Sequence, residues 1–218
     1  SQFELRSPRK GKLAKKIKLE MVAAAKSVGI HIQHPQLDGD EILRSDLVLE
    51  IPKNLALELK TQNGNIAVTN QEAAVVSNSN NGHLSLSKIT GNITAQTQNG
   101  NLDLQEISGN QHQLETTNGN ITLKDIYGAV SGKSGNGSIT GFLKGVSRPE
   151  DYSFEASNGS VSLHMASDSS ARIRYIKGIG NINTQFKHLE DQSQILVGEG
   201  VARIKIKSTN GNIEVLKD

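Results

Sequence analysis

Apolar and polar residues alternate in a series of short segments, each of which follows an Asn-Gly dipeptide or a close variant of it. In the copy that begins at Thr97, for example, aliphatic residues stand at Leu102 and Leu104 with a polar residue between them. This two-residue period predicts a β-strand with one face buried. The first buried position of each copy is occupied by Ile66, Leu84, Leu102, Ile121, Ile139, Val161, Ile182 and Ile213.

The alternating segments recur at a nearly constant interval. The first six Asn-Gly dipeptides are separated by steps of 18, 18, 19, 18 and 22 residues. A hydroxyl residue usually stands two positions before the asparagine, and the central copies add a second turn of the form Ile-x-Gly. A degenerate copy lies at residues 179–182. The asparagines that mark the other copies are Asn63, Asn81, Asn99, Asn118, Asn136, Asn158 and Asn210.

Two architectures are compatible with one such unit. A meander of hairpins would place neighbouring strands antiparallel, whereas a solenoid would stack each unit on the previous one in parallel register. The solenoid explains why every second turn is the same, since Asn then rests on Asn and Ile on Ile in ladders. We therefore predict an all-β, single-domain parallel β-solenoid (β-helix), with coils of about 18 residues and an N-terminal cap.

The repeated pattern T-x-N-G-x-I-x-V, with its Ile-x-Gly returns, resembles the "putative adhesin" β-repeat family of bacterial proteins, a domain of unknown function. The lead-in at residues 51–61, the segment 180–186 and the closing stretch 197–211 are similar to parts of that family. The resemblance covers residues 42–216 and implies an exported, β-helical surface or envelope protein without enzymatic activity. Because its motifs are structural, the resemblance is specific for fold and weak for activity.

The N-terminal residues differ from the repeats. We predict a basic segment and cap over residues 1–41, followed by the solenoid domain over residues 42–218. Apolar residues at steps of three and four predict a helix over residues 12–28, although alternation around Met21 also suits a strand. Strands are predicted at residues 30–33 and 47–51, around a turn at 38–40.

The C-terminal residues contain one interruption. Residues 187–200 are polar and end in glycine, which indicates an insertion between two copies. We expect the final strands, at residues 202–207 and 213–216, to close the array.

The net charge of +2 is unevenly distributed. Residues 1–26 contain eight basic and two acidic residues, so they carry +6 and the remaining chain carries −4. Membrane contact is therefore expected only through this basic N-terminal segment. Nucleic-acid binding is not expected, because a stacking surface needs aromatic residues beside the basic ones and only Phe3 is there.

Ionisable residues do not form a recognisable catalytic set. Glycoside hydrolysis needs two carboxylates about 5–10 Å apart, and adjacent acids occur only in loops, at Glu150 and Asp151, at Glu190 and Asp191, and at residues 38–41. His31 and His34 have a zinc-like spacing but lack an evident third ligand. The glycine-rich segment 132–137 lacks the P-loop ending. We therefore predict no catalytic residue, no metal site, no cofactor and no enzymatic activity.

Polar rows on a flat parallel sheet could hydrogen-bond a linear polymer. We accordingly predict a non-catalytic cell-envelope or surface protein, exported to the periplasm or cell surface, whose partner is a surface polysaccharide or an envelope protein. The alternatives are a self-associating structural solenoid and, less favoured, a polysaccharide-active β-helix enzyme. The candidate binding residues are the outward polar positions of the central coils, Gln96, Gln98, Gln113, Glu115 and Thr117.

Overall fold

The computed structural model describes residues 2–6, 18–24, 27–33, 46–146, 148–189 and 193–218. It divides into two compact units, Ser1–Pro52 and Lys53–Asp218. All regular structure in the described residues is β-strand.

The first unit contains two antiparallel strand pairs. β1 (Gln2–Arg6) pairs with β4 (Asp46–Glu50), and β2 (Lys18–Ala24) pairs with β3 (Ser27–Gln33). The predicted helix is therefore wrong over Lys18–Ala24, where the alternation around Met21 instead forms a strand. A partner outside the segment supplies the hydrogen bonds, since Met21 aligns with Ile30. The prediction is also wrong at Ser27 and Val28, which begin β3. Residues 12–17 and 25–26 of the predicted helix and the turn at 38–40 lie outside the described residues, and the function of this unit as a cap remains a prediction.

The second unit is the predicted parallel β-solenoid. Six coils follow the chain order through residue 165, and two further coils come from residues 171–217 within the described residues. Its strands are β5 (Leu57–Asn63), β6 (Ile66–Gln71), β7 (Val75–Asn81), β8 (Leu84–Thr90), β9 (Ile93–Asn99), β10 (Leu102–Asn118), β11 (Ile121–Asn136), β12 (Ile139–Leu143), β13 (Asp151–Asn158), β14 (Val161–Met165), β15 (Ala171–Ile179), β16 (Ile182–Thr184), β17 (Lys187–Leu189), β18 (Gln194–Val197), β19 (Ala202–Asn210) and β20 (Ile213–Lys217).

The Asn-Gly corner separates two faces of the solenoid. Face A consists of the strands that precede the corner, in the spatial order β5, β7, β9, residues 112–118 of β10, residues 131–136 of β11, β13, β19 and β15. Face B consists of those that follow it, in the order β6, β8, residues 102–108 of β10, residues 121–126 of β11, β12, β14, β20 and β16.

Asparagine side chains bond to one another along the corner. In this asparagine ladder each amide nitrogen donates to the amide oxygen of the neighbouring coil, as from Asn118 to Asn99 at 2.8 Å. The ladder is continuous through Asn63, Asn81, Asn99, Asn118, Asn136, Asn158 and Asn210. The repeated asparagine is thus explained by identical neighbours on both sides, as expected of stacked parallel coils.

The small hydroxyl residue before each corner has an equally specific use. Its side chain points inward and donates a hydrogen bond to the carbonyl of the corner glycine in the neighbouring coil, for example from Ser134 to Gly119 at 2.9 Å. The carbonyl is thereby satisfied away from solvent. The members of this hydroxyl column are Ser79, Thr97, Thr116, Ser134 and Ser208.

The corner glycines are required by close stacking. A Cβ atom at Gly100 would lie 2.0 Å from the carbonyl oxygen of Gly82, far inside van der Waals contact. Corners at the coil spacing of about 4.8 Å therefore exclude any side chain at this position.

The strands of face B bend near their C-terminal ends, just before the chain leaves this face. Lys88, Glu106 and Asp125 have φ of 54°, 54° and 56°, in the left-handed region that non-glycine residues rarely adopt. The bend resets the alternation, so that Leu86 and Ile89 are both buried although they are three residues apart. The coil thereby curves around its aliphatic core before the second turn.

The order of the last two coils differs from the chain order. β19 lies between β13 and β15, and β20 lies between β14 and β16. The prediction that the final strands close the array is therefore wrong. The last coil inserts into the stack, and the coil of residues 171–184 stands at the end, where β15 also pairs antiparallel with β18 and β18 with β17.

Candidate functional site

The five predicted binding residues lie together on the outer side of face A. Gln96 and Gln98 are on β9, and Gln113, Glu115 and Thr117 are on the neighbouring half of β10. Gln96 aligns directly with Glu115 across the two strands. All five side chains are exposed, so they form one contiguous patch, which we call the polar patch.

Most of the polar patch is free of internal bonds. Among the described residues, the side chains of Gln96, Gln98, Gln113 and Thr117 make no hydrogen bond to another group, and Glu115 has only a 3.9 Å ion pair with Lys133. The asparagine ladder and the hydroxyl column, by contrast, use their hydrogen-bonding groups within the fold. The polar patch therefore has donors and acceptors that an external ligand could use.

A charged column continues from the polar patch along face A. Glu115, Lys133, Glu155 and Lys207 are aligned on successive strands with alternating sign. The ammonium of Lys207 lies 2.5 Å from Glu155, and this hydrogen bond lowers the pKa of the Glu155 carboxyl. The alternation leaves this column electrically balanced.

A groove, which the sequence did not reveal, lies at the second turn of the same coils. It has a volume of about 560 Å³. Its walls come from the second-turn residues of three successive coils and from Gly145, Arg148 and Glu150. The groove is lined by Thr90, Gly91, Asn92, Ser108, Gly109, Asn110, Tyr127, Gly128, Gly145, Arg148 and Glu150.

The groove combines one aromatic ring with several polar groups. Tyr127 is 48% exposed, an unusual state for the largest side chain of its coil. The hydroxyls of Thr90 and Ser108 form a pair at 3.3 Å, and Arg148 contributes an exposed cation. An exposed aromatic ring beside amides and hydroxyls is chemically suited to a sugar or another neutral polar ligand.

Glu150 at the rim is held by the fold. Its carboxylate accepts a hydrogen bond from the Tyr152 hydroxyl at 2.9 Å, and burial together with this bond raises the pKa of Tyr152. The neighbouring acid, Asp151, accepts two hydrogen bonds from Arg203, at 2.6 and 2.9 Å. Both acids of this pair therefore have structural partners, whereas Glu190 and Asp191 and the acids at 38–41 lie outside the described residues.

His112 is a buried polar residue within the core. It occupies an aliphatic column between Ile93 and Val130 and is fully buried. Its Nε2 lies 3.1 Å from the carbonyl oxygen of Tyr127, and burial lowers the pKa of the imidazole. The imidazole fills space beside Gly109, where a Cβ would lie 2.9 Å from the His112 ring. We interpret His112 as a packing residue.

Other candidates can be placed only in part. His31 is on β3, aligned with Glu20, while His34 lies outside the described residues. No group of three or more possible metal ligands occurs in the part of the chain that the structure describes. The described residues also contain no helix long and apolar enough to cross a bilayer.

Two comparisons with known proteins found a match. A family model described as Toastrack DUF4097 matches residues 37–216. The chain belongs to the Toastrack DUF4097 family. The matched residues include all the coils, the insertion, the polar patch and the groove, so both candidate sites lie within the Toastrack region. The family match establishes the Toastrack domain, whereas the specific repeat motif and the adhesin activity of the sequence resemblance remain proposals.

A crystal structure of a "putative cell adhesion protein" from Clostridium sporogenes is similar to this Toastrack chain at 11% sequence identity and a TM-score of 0.35. The alignment covers 93% of this chain and 77% of that chain. No curated protein matches the chain at a significant level.

Proposed function

We propose that this Toastrack solenoid is a non-catalytic module of the cell envelope or cell surface that binds an extended polymer, foremost a glycan, through the polar patch. The single observation that carries the proposal is the contiguous, exposed set of amide and hydroxyl groups at Gln96, Gln98, Gln113 and Thr117, which have no partner among the described residues. Such groups on a rigid sheet can hydrogen-bond a ligand without first breaking bonds in the protein.

The groove extends this surface. Asn92 immediately precedes β9, and Asn110 lies in β10 at the register shift before residues 112–118. These two strands carry the polar patch. A linear glycan could stack a sugar on Tyr127 and continue across the amide side chains. This arrangement favours a polysaccharide over a globular protein partner. The exposed amide and hydroxyl side chains form rows along the strands, and a linear polymer can follow such rows.

The proposal includes export, because surface polymers lie outside the cytoplasm. It also includes the absence of catalysis. Glu150 and Asp151, the adjacent acids that the structure describes, are engaged by Tyr152 and Arg203, and a hydrolytic acid pair would need free carboxyl groups facing a groove.

The test is co-sedimentation of the chain with insoluble peptidoglycan and cell-wall polysaccharides, at low and high salt. We expect salt-resistant binding that is weakened about tenfold or more by Gln96→Ala combined with Gln113→Ala. Tyr127→Ala tests the groove in the same assay. The matched control is Asp103→Ala with Thr122→Ala, which removes aligned, exposed side chains from face B.

Three results would contradict the proposal. Equal binding by the polar-patch variant and the face B control would remove the polar patch from the interaction. Release of reducing sugar ends in the same tubes would indicate an enzyme. Failure to bind any of the polymers, together with concentration-dependent oligomers, would favour a self-assembling structural solenoid instead.

A further inference from the structure

The outer side of face A changes character at its far end. There β19 and β15 lie side by side in parallel register, and three pairs of outward residues are aligned: Arg203 with Arg172, Lys205 with Arg174, and Lys207 with Ile176. Five of these six side chains are cationic. Like charges directly opposite one another on a sheet are unfavourable, so this arrangement costs stability in the isolated protein.

The cations are only partly neutralised. Asp151 binds Arg203, and Glu155 binds Lys207. Arg172 makes a 3.5 Å hydrogen bond to the neutral side chain of Gln194. Within the described residues, neither Arg172, Arg174 nor Lys205 has a carboxylate at ion-pair distance. The contrast with the alternating column through Glu115 and Lys133 indicates that this end of face A is adapted to an anionic partner.

Two exposed isoleucines accompany these cations. Ile176 is 54% exposed in a column that is polar in every other coil, and Ile179 is 78% exposed where it aligns with Asn210 of the asparagine ladder. An acidic polymer would need the cations alone. A surface that offers anionic groups above an apolar layer would use the isoleucines as well, and the interface of an anionic lipid bilayer has both.

We propose that this basic-isoleucine face, formed by Arg172, Arg174, Ile176, Ile179 and Lys205, docks the end of the solenoid on a membrane surface rich in anionic lipid. The guanidinium and ammonium groups contact lipid phosphates, and the isoleucine side chains enter the headgroup layer. Docking is peripheral and salt-sensitive, because exposed charges are screened by ions. Its residues are different from those of the polar patch and of the basic N-terminal segment, so the proposal departs from the expectation that membrane contact occurs only through that segment.

The test is sedimentation of the full chain with phosphatidylcholine vesicles that contain or lack phosphatidylglycerol. We expect binding only to the vesicles with phosphatidylglycerol, and less binding at high salt. Arg174→Ser with Lys205→Ser should weaken partitioning at least about tenfold, since each basic residue near an anionic surface adds roughly 1 kcal/mol, about fivefold. Serine suits this column, because Ser153 aligns with Lys205.

The charge-matched control is Lys124→Ser with Lys133→Ser, which removes two exposed cations elsewhere and should leave vesicle binding nearly unchanged. The basic N-terminal segment is present in every variant, so its contribution is common to all. Thermal unfolding of each variant verifies that the fold is retained. Equal losses in the Arg174/Lys205 variant and in the control would overturn the proposal, because binding would then follow net charge alone.

The isoleucines separate the membrane from an acidic polymer. Ile176→Asn with Ile179→Asn introduces the residue of aligned coils at both positions, since Asn78 and Asn210 stand in those columns. We expect a severalfold loss of vesicle binding and unchanged binding to heparin or polyglutamate. Unchanged vesicle binding by this variant would mean that the partner is recognised by charge alone, and an acidic polymer would replace the bilayer as the partner.

Discussion

An interior coil and the end coil of the solenoid differ at the positions that neighbouring coils share. In the interior coil around Asn118, the corner asparagine bonds to asparagines on both sides. In the end coil, formed by β15 and β16, the aligned residue is Ile179, and Lys177 replaces the inward hydroxyl of Ser208. Lys177 instead donates a hydrogen bond to the carbonyl of Gly180 within its own coil.

The residues that differ between the two coils are those that an interior coil needs for stacking. A coil with neighbours on both sides must satisfy donors and acceptors in both directions. The Thr/Ser-x-Asn-Gly pattern does so, and the interior coil of β13, which has Ala156 at the hydroxyl position, keeps the asparagine and the glycine. A coil with one neighbour is released from half of these requirements, as expected of a terminal repeat. Its sequence is therefore free to carry other chemistry, such as the exposed isoleucines.

The largest effect is expected from a methyl group at an interior corner. Gly100→Ala should lower the free energy of unfolding by about 3 kcal/mol, because its Cβ would lie 2.0 Å from a backbone oxygen that cannot move without separating the coils. The measurement is urea denaturation of wild type and variant.

Gly132→Ala is the matched control for this prediction. It is also an interior glycine, but its Cβ would meet the nearest atom, in the Phe154 ring, at an ordinary 3.4 Å. It should change stability by less than about 1 kcal/mol. Equal destabilisation by the two substitutions would show that coil stacking is not what requires glycine at the corner.

The asparagine ladder gives the next largest difference. Asn118→Ala removes two side-chain hydrogen bonds and should lower the free energy of unfolding by about 1–2 kcal/mol. Ile179→Asn in the end coil adds a partner for Asn210 and should leave stability unchanged or raise it by up to about 0.5 kcal/mol. If both substitutions proved neutral by denaturation, the ladder would be a consequence of stacking rather than a source of stability.

The hydroxyl column allows a test in both directions. Ser134→Ala leaves the carbonyl of Gly119 without its side-chain donor and should cost about 1 kcal/mol. Ala156 occupies the same column in the next coil, beside Gly137, and lacks a hydroxyl. Ala156→Ser should therefore raise the free energy of unfolding, by up to about 1 kcal/mol. A loss of stability in Ala156→Ser would indicate that this part of the core has no room for an oxygen.

The smallest expected effect is a pH dependence specific to the interior. Burial lowers the pKa of His112 below its ordinary value of 6.5, so the unfolded chain binds more protons than the folded chain as the pH falls toward this value. The stability contributed by neutral His112 is therefore fully present above this pH and is lost below it. His112→Ile, which matches the aligned Ile93, should reduce the difference in urea midpoint between about pH 7.5 and about pH 5.5. An unchanged difference would assign the pH dependence to other groups.

Much of the solenoid could be predicted because its signals are local and repeated. The step between copies, the aliphatic alternation and the corner pattern each indicated parallel stacking, and the asparagine ladder confirms it. The five residues of the polar patch are exposed neighbours, since residues one repeat apart become adjacent once the coils are in register, and their binding of a ligand stays a prediction.

The features that the sequence did not predict depend on contacts and backbone geometry that the local pattern does not specify. Over Lys18–Ala24 the apolar residues fit both the helical and the strand periodicity. The segment is a strand because it pairs with β3. The groove was missed because Arg148 and Glu150 line it together with Thr90, about 60 residues earlier in the chain. The left-handed φ of Lys88 was missed because no local sequence signal marks a lysine whose backbone adopts this conformation.

The repeating coil, its aliphatic interior and its asparagine corners follow from the amino-acid sequence alone, because the same pattern recurs in successive copies. The order of the last coils depends on contacts in three dimensions. β19 carries Ser208 and Asn210, which can bond to neighbours on both sides, and it lies between β13 and β15. β15 carries Lys177 and Ile179, which cannot, and it stands at the end. The stacking order follows from which coils can satisfy each other's hydrogen-bonding groups. The order of the coils along the chain is less important.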